Sequence, residues 1–211
     1  MWKLIARLIA HRSGAQWTQH LNRAIDGADT RYCMGGDLSV LFYFAYGSNM
    51  LSARLNARCP SARAIGVAVA RDHRLCCWKR SRDSSGKATL VHAPAHDSYG
   101  VLFEVDEGDI VHLDIAEGTD YERLEDFMVL THPELRFSRA ITYIALPYAI
   151  DNKLCPYNWY KELILAGASE HNLPASYIME LCLIKALPDP WLDRPARNEA
   201  LRLLAEFHIG A

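Results

Sequence analysis

Residues 41–50, Leu-Phe-Tyr-Phe-Ala-Tyr-Gly-Ser-Asn-Met, restrict the fold more than any other stretch of the chain. A run of apolar and aromatic residues from Leu41 to Phe44, halted by small polar ones, reads as a buried strand that ends in a tight turn. Gly47 permits unusual backbone angles and the close approach of another group. Beyond it, Leu51, Arg54, Leu55 and Arg58 recur at helical spacing until Pro60 stops the pattern. The first N–H groups of such a helix have no intrahelical acceptor, so strand, glycine turn and helix start together make a cradle for a carboxylate, a phosphate or a developing oxyanion. The same arrangement also serves as a plain helix cap with no ligand. Gly-x-Gly-x-x-Gly is missing, and Met50 stands where a Gly-x-Ser-x-Gly elbow needs its last glycine, which argues against Ser48 as a nucleophile.

Further strand-like runs fall at 65–71, 73–79, 88–92, 99–105, 126–131 and 138–146, with the Ser-Arg-Asp-Ser-Ser-Gly cluster of 81–86 as a connection. Asp106 is placed to cap a helix running to Glu117, and Gly118 suits the left-handed residue that stops it. Pro156, Pro174 and Asp193-Pro195 open helices of about 156–170 and 174–186 and a last one carrying Leu201, Leu204 and Phe207 on one side. Strands first and helices last predict an α+β domain built on a curved, largely antiparallel sheet. With 211 residues, half of them apolar or aromatic, the chain can fill a single core. Its domain is expected over 39–211, preceded by an N-terminal helical arm and linker over 1–38, where Trp2, Ile5, Leu8 and Ile9 share a face. Arg7 interrupts that apolar run, making it a poor export signal.

The 23 basic and 25 acidic residues are dispersed, without the basic stripe that a nucleic-acid backbone requires. No stretch approaches the roughly 18–20 apolar residues of a membrane span, so a soluble, cytoplasmic protein is expected. The six cysteines lack Cys-x-x-Cys spacing and read as reduced, mostly buried thiols. Pro94 between His92 and His96 spoils a shared helical face, and no other cluster has zinc spacing, so no metal site is expected.

Glu117 is the odd residue. On a helical wheel it lies about 20° from Ile110 and about 40° from Leu113, on the face that should be buried. An unpaired carboxylate there would take a raised pKa, which makes it a proton acceptor and donor near neutral pH. The bland alternative is a salt bridge to Arg54, Arg58 or Arg123. Asp114, on the same helix, is expected to serve local hydrogen bonding.

Phe-Ala-Tyr-Gly-Ser-Asn-Met (44–50), Gly-Val-Leu-Phe-Glu-Val with Leu-Asp-Ile-Ala-Glu-Gly (100–105 and 113–118), Tyr121-Glu122-Arg123, and the segment from Pro156 to Pro174 resemble, in this order, the γ-glutamylcyclotransferase or AIG2-like family. The resemblance covers about 40–190. It implies a small curved mixed β-barrel with surrounding helices and a pocket between the turn and the glutamate. It makes Glu117 the catalytic acid/base; Tyr46, Gly47, Ser48, Asn49 and Met50, with Tyr121, become substrate-binding residues, and Tyr160 helps line the site. Read by itself, Tyr160 is an ordinary core aromatic beside Leu163, Ile164 and Gly167. The reaction implied needs no cofactor or metal, since a γ-glutamyl amide carries its own nucleophile, the α-amine, which closes on the side-chain carbonyl to give 5-oxoproline. A small γ-glutamyl substrate and a homodimer are expected from the resemblance alone. The rival readings are a γ-glutamyl-deprotecting enzyme for a larger biosynthetic amine and a non-catalytic γ-glutamyl or carboxylate-binding module acting through partners.

Overall fold

The structure, a computed structural model, describes residues 39–210; the arm and linker expected over 1–38 lie outside the described residues. Five strands close into a barrel in the order β1-β3-β2-β4-β5. They are β1 (Val40–Ala45), β2 (Arg63–Arg80), β3 (Gly86–Asp106), β4 (Tyr121–His132) and β5 (Phe137–Ala145). All pairings are antiparallel except the closing one, where β1 lies parallel to β5 with Tyr43 opposite Ile141. Closure removes the unpaired edges that an open sheet would expose. Phe44, Val101, Phe103, Val105 and Val129, all without solvent exposure, fill the core. This is the small mixed barrel that the family resemblance implied.

The helices are α1 (Ser52–Asn56), α2 (Ile110–Glu117), α3 (Asn158–Glu170), α4 (Ala175–Cys182) and α5 (Pro195–Gly210), with single 3-10 turns at Ser48–Met50, Glu107–Asp109 and Pro147–Ala149. Buried Trp159, Tyr160, Leu163 and Ile164 seat α3 on the barrel; full burial of a side chain such as Leu163 or Ile164 is worth about 1.5–3 kcal/mol. Gly167 lets that helix touch the chain just past the glycine turn, since a Cβ there would lie 2.4 Å from the backbone nitrogen of Leu51.

Four expected strands turn out to be two. Runs 65–71 and 73–79 are joined in β2, and 88–92 and 99–105 in β3, because the ladder continues through a bulge between Arg71 and His73. Asp72 and Ala95 adopt left-handed angles of 57° and 61°, and the Asp72 carboxylate accepts the Ala95 N–H at 2.8 Å. A second bulge sets Thr89 opposite Cys76 but Lys87 opposite Lys79, so Ala88 faces two residues instead of one. Its peptide is thereby released from the ladder and serves the site described below.

Helix starts also differ from expectation. α3 begins two residues after Pro156, because the Asn158 N–H donates to the Leu187 carbonyl and the Leu187 N–H to that of Pro156, holding this stretch as a bridge. Pro174 is the residue before α4, which ends at Cys182 instead of 186. Asp106 forms no side-chain cap; a 3-10 turn intervenes, and the residue before α2, Asp109, makes no side-chain cap either, its carboxylate accepting instead from Ser61 N and Oγ at 3.0 and 2.6 Å. Among the described residues no helix is long and apolar enough to cross a membrane.

Candidate active site

Glu117 is the last residue of α2, and Gly118 at φ 72° turns the chain into β4. Ile110 and Leu113 on the same helix are buried, so the helical wheel brings Glu117 inward as expected, with its side chain 18% exposed. Its Oε1 accepts the Asn49 amide at 3.0 Å and lies 3.9 Å from Arg58 Nη1. Its Oε2 accepts no hydrogen bond from the described residues. Of the three arginines considered as salt-bridge partners, Arg58 is the near one, and Arg123 instead pairs with Asp114 and Glu125 at 2.6 Å each. Burial raises the Glu117 pKa, and Arg58 and Asn49 offset that only in part.

The glycine turn stands opposite. Gly47 is needed for space, since φ of −112° is open to any residue while a Cβ would lie 2.9 Å from that of Ala88. The Met50 N–H bonds back to the Gly47 carbonyl at 3.0 Å, while those of Ser48 and Asn49 meet no acceptor among the described residues. Behind the turn, buried Arg54 donates from Nε to Ser48 Oγ at 3.2 Å, and its Nη1 is 3.6 Å from Glu199 on α5. Burial lowers the Arg54 pKa to about 10, which leaves it a cation at neutral pH.

Tyrosines build the walls. The Tyr46 hydroxyl donates to the Tyr143 carbonyl, and the Tyr143 hydroxyl to Asp114 at 2.8 Å. Tyr121 donates to the freed carbonyl of Ala88 at 2.6 Å, and Tyr160 accepts the Ala88 N–H at 3.1 Å. Burial pushes the Tyr160 pKa up to about 12, so it stays a neutral donor. Lys79 and Lys87 lean over the rings of Tyr121 (5.1 Å) and Tyr160 (4.7 Å) while paired to Asp120 and Asp83.

These groups enclose a cavity of about 170 Å³. Drug-sized ligands take pockets of roughly 300–1,000 Å³, so this one suits a ligand of amino-acid size. Tyr46, Gly47, Ser48, Asn49, Glu117, Tyr121 and Tyr160, all singled out from the sequence, border it. Met50 does not: it has no exposure and lies against α3 at Gly167, because residues after the turn point away from the cavity into the core. Tyr43, Lys79, Lys87 and Tyr143 also border the cavity and carried no site signal in the sequence, since only barrel closure and the second bulge bring them in; Arg54 and Arg58, which the sequence offered only as salt-bridge partners, border it too.

Other nucleophiles stand elsewhere. Ser52 Oγ and Glu170 Oε2 approach the same ring nitrogen of His171, Nε2, at 3.1 and 3.3 Å, whereas a catalytic relay needs the carboxylate on the other nitrogen. The thiol of Cys77 is buried and pushed up to about 12. Among the described residues no three His, Cys, Asp or Glu side chains gather as a metal group; His96 pairs with Glu180 at 2.9 Å. The cavity is therefore bordered by a carboxylate of raised pKa, by the turn whose Ser48 and Asn49 N–H groups have no acceptor among the described residues, and by the neutral hydroxyl of Tyr160.

Comparison with known proteins places the chain in a family. Residues 97–181 match the model of the AIG2-like family. The mouse γ-glutamylcyclotransferase is 30% identical over 159 residues, covering 72% of this chain and 82% of that protein. Its human counterpart is 28% identical over 158 residues, with the same coverage. A solved structure titled γ-glutamyl cyclotransferase superposes with a TM-score of 0.71 at 26% identity, over 80% of this chain and 99% of the other. The chain belongs to the AIG2-like, γ-glutamylcyclotransferase family.

Proposed function

We propose that the protein is a cyclotransferase that releases 5-oxoproline and a free amine or amino acid from a γ-glutamyl amide. Glu117 takes a proton from the substrate's α-ammonium. The freed amine attacks the γ-carbonyl carbon, forming the lactam C–N bond and a tetrahedral oxyanion. Glu117 then returns the proton to the amide nitrogen as the original C–N bond breaks. The attacking nitrogen gives up its second proton as well, which ends on the released amine as an ammonium, so the lactam nitrogen keeps one hydrogen and atoms and charge balance with no external reactant. The N–H groups of Ser48 and Asn49 are assigned to the glutamyl carboxylate or the oxyanion, and Tyr160 to a further hydrogen bond. A preorganised cavity of amino-acid size favours the folded-back conformer that the attack requires.

The observation that carries this reading is the half-satisfied state of Glu117: among the described residues one oxygen is held and the other has no hydrogen bond, across a small cavity from a turn whose Ser48 and Asn49 N–H groups have no acceptor there. A purely binding pocket for a carboxylate gains nothing from a second negative charge inside it. The relatives named γ-glutamylcyclotransferase support the same reaction class. Incubation with γ-glutamyl-alanine, a γ-glutamyl amine and glutathione, with 5-oxoproline followed by mass spectrometry, tests it. Product from at least one is expected, and the pattern identifies the leaving group; no product from any of them contradicts the assignment.

A further inference from the structure

Asn49 is the point where the site's polar groups meet. Its Oδ1 accepts Arg58 Nη1 at 2.8 Å, and its Nδ2 donates to Glu117 Oε1 and to Tyr43 Oη, both at 3.0 Å. A guanidinium can only donate and an ionised carboxylate can only accept, so these two neighbours allow the amide a single orientation. Both amide protons and the amide oxygen are then committed inside the protein. Asn49 is 5% exposed and Tyr43 4%, and a buried amide does not abandon such partners cheaply. Neither amide proton of Asn49 is left for a ligand; among the described residues only the second lone pair of Oδ1 and the backbone N–H have no partner.

Arg58 sits just beyond α1, its side chain 23% exposed, and no carboxylate among the described residues lies nearer to it than Glu117. The guanidinium holds the amide at hydrogen-bond distance while standing 3.9 Å from the carboxylate. We propose that Arg58, acting through the Asn49 amide, is the positioning residue that fixes the Glu117 carboxylate for proton transfer, and that the Asn49 side chain is part of this clamp and not a substrate ligand. The inference rests on the cyclotransferase reading for its catalytic consequence and on geometry alone for the clamp.

The other groups facing Glu117 leave this pair as its main control. Arg54 on α1 and Lys79 on β2 are cations that act on it more weakly than Arg58 does. Tyr43 on β1, Tyr46 before the turn, Tyr121 on β4 and Tyr160 on α3 are buried phenols whose pKa values are raised, so they stay neutral in the working range. Arg58 and Asn49 both favour the ionised carboxylate, so loss of either raises the Glu117 pKa further.

The test compares wild type with Arg58→Met, Asn49→Ala and Arg58→Lys, using whichever γ-glutamyl compound the wild type turns over. Arg58→Met and Asn49→Ala are expected to lose on the order of 10- to 100-fold in kcat/KM at neutral pH, the range that one hydrogen bond to a charged group commands. Their acid limb moves to higher pH, while calorimetric affinity for 5-oxoproline is unchanged. Arg58→Lys, which keeps the charge and a donor, recovers much of the loss. Weaker 5-oxoproline binding with an unmoved acid limb would make Asn49 a substrate ligand and overturn the proposal. If the wild type forms no 5-oxoproline, the functional reading fails, and the clamp is judged separately by carbon-13 titration of the Glu117 carboxyl. A midpoint raised in Arg58→Met and Asn49→Ala sustains it, and an unchanged one overturns it.

Discussion

Glu117 and Asp189 are both withdrawn from water, yet their surroundings differ in kind. Asp189, in the segment before α5, has a side chain only 1% exposed. Its two oxygens accept from Arg194 at 2.8 and 3.2 Å, from the Trp159 indole at 2.9 Å and from the Trp191 N–H at 2.9 Å. Burial pushes its pKa up, but these bonds outweigh that and hold it at about 2. Glu117 has one amide hydrogen bond and a guanidinium at 3.9 Å, and burial wins. Hydrogen-bond completeness, not burial, separates a carboxylate that ties the C-terminal segment to α3 from one that can trade protons.

The largest effect expected from this contrast is on turnover. Glu117→Gln keeps the shape and the bond to the Asn49 neighbourhood but cannot carry a proton, so kcat/KM should fall about 10²–10⁴-fold, or roughly 3–5 kcal/mol in barrier, while the fold persists. A steady-state rate within twofold of wild type would place the chemistry elsewhere. Asp189→Asn should do the reverse. Losing charge-assisted bonds from Arg194 costs about 2–3 kcal/mol of stability in urea unfolding, and turnover per folded molecule should change far less than in Glu117→Gln. An Asp189→Asn protein as stable as wild type would dissolve the contrast.

A smaller effect is linked to pH and has opposite signs at the two sites. Asp189 has a folded-state pKa below its ordinary value of 3.8, so its contribution is present above that pH and disappears as pH falls toward about 2. Glu117 has a raised folded-state pKa, so it weakens the fold as pH rises through that value. Glu117→Gln should therefore melt higher than wild type at pH 8, with the gap closing below the ordinary glutamate pKa of about 4.3. A variant that melts lower than wild type at pH 8 would mean that Glu117 is a structural ion pair with Arg58.

What could be read from the sequence follows from how local each feature is. β1 ends where the apolar run ends, Gly118 is left-handed as its position predicted, and Glu117 points inward because a helix has a fixed period. Features that depend on tertiary pairing were not legible. Asp72 and Pro94 look like turn residues, yet they lie within long paired strands whose bulges absorb them. The Ala88 peptide joins the site because two residues oppose one across a ladder, and Asn49, Arg58 and Glu117 meet only after the barrel closes. Met50 was misplaced for the same reason, since the 3-10 turn at Ser48–Met50 sends its side chain to α3.

The central claim, that Glu117 is an inward carboxylate left short of hydrogen bonds, is open to direct measurement by carbon-13 NMR titration of the side-chain carboxyls in the wild-type protein, which reads Glu117 and Asp189 in one sample. The Glu117 resonance should titrate above the ordinary glutamate value of about 4.3, while that of Asp189 titrates near about 2. A Glu117 midpoint at or below the ordinary value would contradict the assignment of this residue as the proton carrier.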